Sequence, residues 1–468
     1  MNKRHKNSLV WFRRDLRDYD HAALHAALYE SQHVFCIFIF DKEILSHLKN
    51  KNDRRVEFIW ESVRELKESF LQKKSDLIVI YDSPEHAISY AINLFNIDAI
   101  YTNRDYEPYA INRDEKIQKI ALAKNIAFYD FKDQVLFEKN EILTALEKSY
   151  TVFTPYKNNY LKKLSNTTIP RFDIEPLSQN LAQFKYAPLL SLNDIGFKKT
   201  NLHDIKIHTG MSGGKLLAED FKERIAHYKK TRDYPAIKGV SYLSVHLRFG
   251  TVSVRQLIRL AQESLSEGAE TWLNELIWRE FYFQILFHRP DIAKGKAFKK
   301  DYESIPFENN LDYFKAWTEG KTGYPIVDAA IRQLNETGFM HNRLRMVAAS
   351  FLVKDLLVDW RWGEAYFAEK LIDFDLSANN GGWQWAASTG CDAQPWFRIF
   401  NPVTQSVKFD PEGKFIKKYI PELKDCLAEN IHAPWLAKET QKFDYPGPVI
   451  DHPTQRTKAL ALYKSCKS

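Results

Sequence analysis

The sequence predicts a doubly wound parallel α/β domain over residues 1–133, a linker over 134–205, and an all-helical domain over 206–468. Three observations carry this. Short apolar runs alternate with helical patterns in the first third, which is the signature of a parallel sheet covered on both faces. Periodicity then weakens from about residue 131 to 205. After about 206 the pattern is helical nearly to the end.

The expected strands are SLVWF (8–12), VFCIFIF (34–40), DLIVIY (76–81) and DAIYTN (98–103), all rich in β-branched and aromatic residues. Helical patterns lie between and after them, near 20–29, 53–73, 84–96 and 109–125. No G-x-G-x-x-G follows the first strand, so the usual dinucleotide site is absent. Arg13, Arg14 and Arg17 stand there instead, as a phosphate or carboxylate cradle or as a salt-bridged surface turn. His21 and His25 are one helical turn apart without a third ligand candidate, so they read as a solvated helix face and no metal is expected. In the linker, SNTTIPRFDIEPLSQN (165–180) reads as a connection, and FTPYKNNYLKKL (153–164) as a more ordered piece. Further helices are expected at 214–230, 253–265, 269–287, 325–337, 342–358 and 363–371. No fixed-period repeat is evident.

Composition is that of a soluble globular protein, 44% apolar and 27% charged, with 14% aromatic residues. The net charge of +7 suits a polyanionic partner. Four scattered cysteines form no C-x-x-C, so reduced thiols in a cytosol are expected. The first residues lack a signal-peptide core, and no apolar run is long enough to span a membrane.

Two short motifs are set aside. Gly210-Met211-Ser212-Gly213-Gly214 matches a nucleophile elbow but follows a polar lead-in, so Ser212 reads as a helix N-cap. Gly320-Lys321-Thr322 lacks the first glycine of a phosphate loop.

The informative stretch is LIDFDLSANNGGWQWAASTGCDAQPWFR (371–398). Its first half reads as a loop or a helix start, because Asp, Asn and Gly disfavour element interiors. Adjacent glycines permit positive φ or close backbone approach. Two tryptophans beside carboxylates and amides suit either a polar, ring-shaped ligand or a capped helix with aromatic anchors. TWLNELIWREFYFQILF (271–287) puts Trp272, Glu275, Trp278 and Arg279 on neighbouring helical faces. FMHNRLRMVAASFLVKDLL (339–357) sets His341-Asn342-Arg343 at the mouth of an apolar helix. KKTRDYPAIKGVSYLS (229–244) is a basic loop able to wrap a phosphate.

Together these stretches resemble the photolyase/cryptochrome family, and most closely bacterial class I cyclobutane pyrimidine dimer photolyases. The resemblance runs from WFRRDLR (11–17) to the last helices. It is densest in WLNELIWREFY (272–282), the stretch 320–346, NNGGWQWAASTG (379–390) and FRIFNP (397–402). It implies an antenna-chromophore domain followed by an FAD-binding domain. It also implies light-driven repair, in which excited FADH⁻ passes an electron to a flipped-out dimer and recovers it after the ring splits. Asp373, Asp375, Arg345 and Asn379 would surround the isoalloxazine. Tyr228, the loop Val240, Ser241, Tyr242, Leu243 and Ser244, and Trp272 with Arg279 would hold the rest of FAD. Glu275 and Asn342 would hydrogen-bond the dimer, Trp278 and Trp385 would flank it, and Met346 would pack against it. Arg232, Arg343 and Gln405 would meet the DNA backbone. The implied partner is DNA containing pyrimidine dimers, and the implied setting is a monomer in the bacterial cytoplasm, on the nucleoid when bound to lesions. A cryptochrome photoreceptor is the alternative. The complete dimer-facing set favours repair, and His341-Asn342 stands where (6-4) photolyases place a histidine pair.

Three departures from the family pattern matter. Val240 replaces a hydroxyl-bearing residue. In the family's three-tryptophan relay Trp383 and Trp360 are present, but Phe307 takes the third position. At the antenna, Tyr109-Ala110 stands for the folate-anchoring Asn-Glu of some relatives, and Ala293 replaces a cysteine beside the retained Lys294. IFDKEIL (39–45), Arg55 and Asp105 are more like the deazaflavin pattern. The expected antenna is 8-hydroxy-deazaflavin rather than methenyltetrahydrofolate.

Overall fold

The computed structural model describes residues 3–437 and 443–466. By contact the chain forms two compact units. The first comprises residues 1–142, 159–225 and 241–280, and the second 143–158, 226–240 and 281–468. These units cut the chain at other places than the expected boundaries at 133 and 205.

The first unit is built on a five-stranded parallel sheet. Its strands are β1 (His5–Phe12), β2 (Ser31–Asp41), β3 (Leu77–Asp82), β4 (Ala99–Asn103) and β5 (Ala127–Phe131), in the spatial order β3-β2-β1-β4-β5. Leu9 pairs with Phe35 on one side and Ile100 on the other, which puts β1 at the centre. The helices Ala22–Glu30, Arg54–Gln72, Pro84–Phe95 and Pro108–Ala123 fall between or after the strands, as the alternation requires. Leu9, Val10, Trp11 and Phe12 are buried, as a strand covered on both faces must be. The fifth strand was not among the expected ones. Its residues are mostly half-buried, so AFYDF carries no continuous apolar run.

Two expectations are corrected here. His21 is not on a solvated face. It is buried, and its Nδ1 caps the Ala22–Glu30 helix by accepting from Leu24 N at 3.0 Å, while Nε2 lies 3.0 Å from Asp15. Ser212 is not the cap of the helix Gly210–Arg224. Thr209 holds that position, and Ser212 N donates to Glu65 at 2.8 Å. Among the described residues no three His, Cys, Asp or Glu side chains cluster as metal ligands. Nor is any helix long and apolar enough to cross a membrane.

The second unit is helical. Pro325–Thr337, Asn342–Lys354, Trp360–Lys370 and Leu376–Ala386 enclose one apolar cluster. Ile326, Val327, Ile331 and Leu334 meet Leu344, Val347, Phe351 and Leu352 in it, with Trp317, Trp360 and Trp383 buried among them. Asp359 and Asp375 cap the helices Trp360–Lys370 and Leu376–Ala386 by accepting backbone N–H bonds, which fixes where each starts.

Candidate active site

Within the stretch 371–398, Leu376–Ala386 is a helix entered through a short loop. Asp375 is the N-cap of Leu376–Ala386 and accepts from Ser377 N at 3.1 Å and Ser377 Oγ at 2.5 Å. Asn379, Asn380 and both glycines therefore lie inside the helix. Neither glycine has positive φ, and only Gly381 serves close approach. A Cβ on Gly381 would lie 2.2 Å from the Tyr282 ring, whereas one on Gly382 would meet nothing within 4 Å. Two residues before the cap, the Asp373 carboxylate is buried and takes the Arg345 guanidinium at 3.1 and 2.8 Å. Arg345 Nε also donates to Met340 O at 2.8 Å. Asn379 is buried, and its Nδ2 donates to the backbone oxygen of Glu364 at 3.1 Å. The amide is thus pinned by its nitrogen, and its oxygen remains as an acceptor. The Glu364 carboxyl accepts from Asn380 at 2.8 Å, and burial pushes its pKa up to about 7.

The helix Asn342–Lys354 opens the same unit's polar mouth. His341 caps it, with Nδ1 accepting from Arg343 N at 3.2 Å. Burial pulls the His341 pKa down to about 4, which keeps the ring neutral and able to accept. Asn342 and Met346 are one turn apart, with Nδ2 3.8 Å from the sulfur. Arg343 pairs with Asp233 at 2.9 Å, and its guanidinium carbon is 4.5 Å from the centre of the Phe409 ring. Gln405 is half-buried on the helix Pro402–Phe409. Tyr228 is buried beneath the Arg232 guanidinium, 5.4 Å from its ring centre.

Trp383 and Trp360 are both buried, and neither indole N–H has a hydrogen-bond partner. Trp383 packs edge-on to Phe367 at 4.9 Å and to Trp317 at 6.1 Å. A Cβ on Gly363 would sit 2.1 Å from the Trp383 ring, so this helix contact requires glycine. Trp360 carries the Arg361 guanidinium 4.9 Å above its ring. Trp385, two residues after Trp383, is half-buried.

The first unit holds most of the remaining expected residues. Ser241 Oγ accepts from Leu243 N at 3.4 Å, Tyr242 has φ +59°, and Ser244 begins the helix Ser244–Phe249. Val240 is half-buried and ends a segment assigned to the second unit. On the long helix Glu267–His288, Trp272 is buried against Phe221, while Glu275 and Trp278 are half-buried. Arg279 donates to Gln134 O at 2.6 Å. Glu280, which the sequence reading passed over, accepts from Leu136 N at 2.6 Å and Phe137 N at 3.1 Å. Burial pushes its pKa up to about 7 against those bonds.

At the carboxyl ends of β1 and β4 the arginines are ion-paired and mostly buried, not a surface turn. Arg13 meets Asp114, Arg14 meets Asp105 and Glu107 at 3.1 and 2.8 Å, and Arg17 meets Asp133 at 2.6 Å. Burial would raise the Asp105 pKa, but Arg14, Arg113 and Arg13 hold it down at about 2. Arg55 bonds Asp53 at 2.9 Å. Lys294, in the second unit, is exposed at the end of the short helix Pro290–Lys294.

Sequence reasoning also missed Gly363, Glu364 and Asp233. No motif marks them, and each is found by what it touches: the Trp383 ring, the Asn379 and Asn380 amides, and the Arg343 guanidinium.

Comparison with known proteins finds relatives over nearly the whole chain. The family model for the FAD binding domain of DNA photolyase matches residues 272–465, and that for DNA photolyase matches 8–176. The chain is 40% identical to the deoxyribodipyrimidine photo-lyase of Vibrio cholerae, over 98% of this chain and 99% of that one. It is 38% identical to the deoxyribodipyrimidine photo-lyase of Escherichia coli, over 98% of each. A bacterial class III photolyase from Agrobacterium tumefaciens superposes with a TM-score of 0.90 at 31% identity, covering 100% of this chain and 99% of that one. A Synechocystis cryptochrome gives 0.87 at 27% identity, covering 99% and 100%. The chain belongs to the photolyase/cryptochrome family. The residues fit the flavin such a family implies: a half-buried guanidinium on a buried carboxylate, and an amide oxygen left to accept an N–H, suit a reduced isoalloxazine edge.

Proposed function

We propose that this protein is a light-driven DNA lyase that splits cyclobutane pyrimidine dimers. The observation that carries this is full-length similarity, 40% identity over 98% of the chain, to a protein named deoxyribodipyrimidine photo-lyase. The chemistry that FAD supplies when bound, as FADH⁻, is reversible one-electron donation to the dimer on absorbing light. The chain's own residues do the rest. Asn379 accepts the flavin N–H through its free oxygen, with Arg345, Asp373 and Asp375 set around the ring system. Tyr228, Trp272, Arg279 and the loop 240–244 hold the sugar and phosphates. Where Val240 lacks a hydroxyl, the backbone N–H serves.

Glu275 and Asn342 hydrogen-bond the flipped dimer and stabilise the negative charge it acquires. Trp278 and Trp385 wall it, and Met346 fills the gap beside Asn342. Arg232, Arg343 and Gln405 contact the DNA backbone. Trp383 and Trp360 carry electrons inward when the flavin is oxidised. Residues 1–133 form the antenna domain, with Arg55, Asp105 and Lys294 near its second chromophore, 134–205 the linker, and 206–468 the catalytic domain. The protein acts as a monomer in the bacterial cytoplasm.

The test is illumination of an oligonucleotide carrying one thymine dimer with the reduced protein. Loss of the dimer, dependent on light, is the expected result. Persistence of the dimer with FAD intact assigns the chain to the cryptochrome photoreceptors.

A further inference from the structure

The Arg343–Asp233 pair sits at the mouth of the Asn342–Lys354 helix. The carboxylate Oδ1 takes Nη2 at 2.9 Å and Nε at 3.3 Å. Both side chains are partly exposed, at 19% and 33%. Beneath them Phe409 is buried. Its ring carries the Arg343 guanidinium at 4.5 Å and the Lys408 ammonium at 5.2 Å, and Tyr234, the residue after Asp233, meets it edge-on at 6.3 Å. The ring and the carboxylate together fix the guanidinium in one place.

A phosphate meets this arrangement in two ways. At a distance it feels charge, and the arginine and carboxylate cancel. At contact it needs N–H donors, and Asp233 occupies only the Nε and Nη2 edge, leaving Nη1 for a second acceptor. We propose that Asp233 is a specificity-determining residue: it removes Arg343 from the long-range attraction that any DNA duplex exploits and leaves its directed hydrogen bonds to the distorted backbone at a lesion. This rests on the reading of Arg343 as a DNA contact.

The experiment measures binding of undamaged and thymine-dimer duplexes by the FAD-loaded protein across a salt series, for wild type, Asp233→Asn, Asp233→Glu, Arg343→Ala and the double variant. Asp233→Asn frees one charge. Undamaged duplex should bind about two- to fivefold tighter, the scale of a partly exposed ion pair. Its log–log salt slope should steepen by about one. Lesion affinity should rise less, so discrimination falls. Asp233→Glu keeps the charge and should restore wild-type slope. In the Arg343→Ala background, Asp233→Asn removes a repelling carboxylate from both duplexes alike, so discrimination should not change. An unchanged slope for Asp233→Asn, or parallel weakening on both duplexes, overturns the proposal and leaves Asp233 a structural support. If Arg343→Ala itself leaves affinities and slopes as in wild type, it is the reading of Arg343 that falls.

Discussion

Glu275 and Glu280 lie on one helix and call for opposite experiments. Glu275 is half-buried, between Trp272 and Trp278 in sequence. Glu275→Ala should retain FAD and lower dimer splitting per absorbed photon, since losing a hydrogen bond to a charged group costs about 1–3 kcal/mol. Unchanged splitting per photon takes Glu275 out of the dimer site. Glu280 is fully buried, and its carboxyl pKa is raised from 4.5 to about 7. The native state therefore holds a proton that the unfolded chain releases, and stability falls as pH rises through that interval. Glu280→Gln does not titrate. Its melting temperature relative to wild type should climb between about pH 4.5 and about pH 7 and then level. A constant difference across that range would show that the fold leaves the Glu280 carboxyl unshifted. Glu275 stood out in the sequence because two indoles flank it, and its proposed role came from the family resemblance. Glu280 was not, because its partners, Leu136 and Phe137, lie over 140 residues away.

At the scale of elements, the proposed relay through the helices Trp360–Lys370 and Leu376–Ala386 has a weak outer end. Trp360 has no acceptor for its N–H and a guanidinium 4.9 Å over its ring, so a positive hole there is poorly stabilised. Phe307 packs at the edge of the same cluster, and a phenyl ring is much harder to oxidise than an indole. Trp317 offers a side branch, edge-on to Trp383 at 6.1 Å with its N–H donating to Ala348 O at 3.1 Å. Photoreduction of oxidised protein should therefore be slow or low in yield. Phe307→Trp should raise it, and repair by chemically reduced protein should not change. Transient absorption decides: a long-lived surface tryptophan radical in wild type, with nothing gained in Phe307→Trp, means either that Phe307 is not the third relay position or that another aromatic already completes the path. The elements themselves were largely readable. The helix at 325–337 matches its period, whereas Leu376–Ala386 hid behind Asn and Gly, whose cost inside a helix is offset by the Asp375 cap and by tertiary packing.

For the molecule as a whole, alternation of apolar runs and helices was enough to place a parallel sheet before a helical body. The compact units were not readable, because pieces of chain far apart in sequence, such as 1–142 and 241–280, fold together. The antenna tests the first unit as a ligand-binding body. The Tyr109 hydroxyl donates to Asp41 at 2.8 Å. Reconstitution should give tighter binding of 8-hydroxy-deazaflavin than of methenyltetrahydrofolate. Stoichiometric, tight folate in protein purified from its own host would refute this.

Gly381 and Gly382 are neighbours of identical chemistry with unequal mutational futures. Every missense change at either replaces a hydrogen by at least a methyl. At Gly381 that first carbon already meets the Tyr282 ring at 2.2 Å, so the smallest substitution and the largest meet the same obstacle. At Gly382 nothing lies within 4 Å, and alanine should stabilise the helix by about 1 kcal/mol. A saturation library scored for folded, flavin-loaded protein should show one column uniformly depleted and the next tolerant. Drift in this lineage would then be free to erase the second glycine while holding the first.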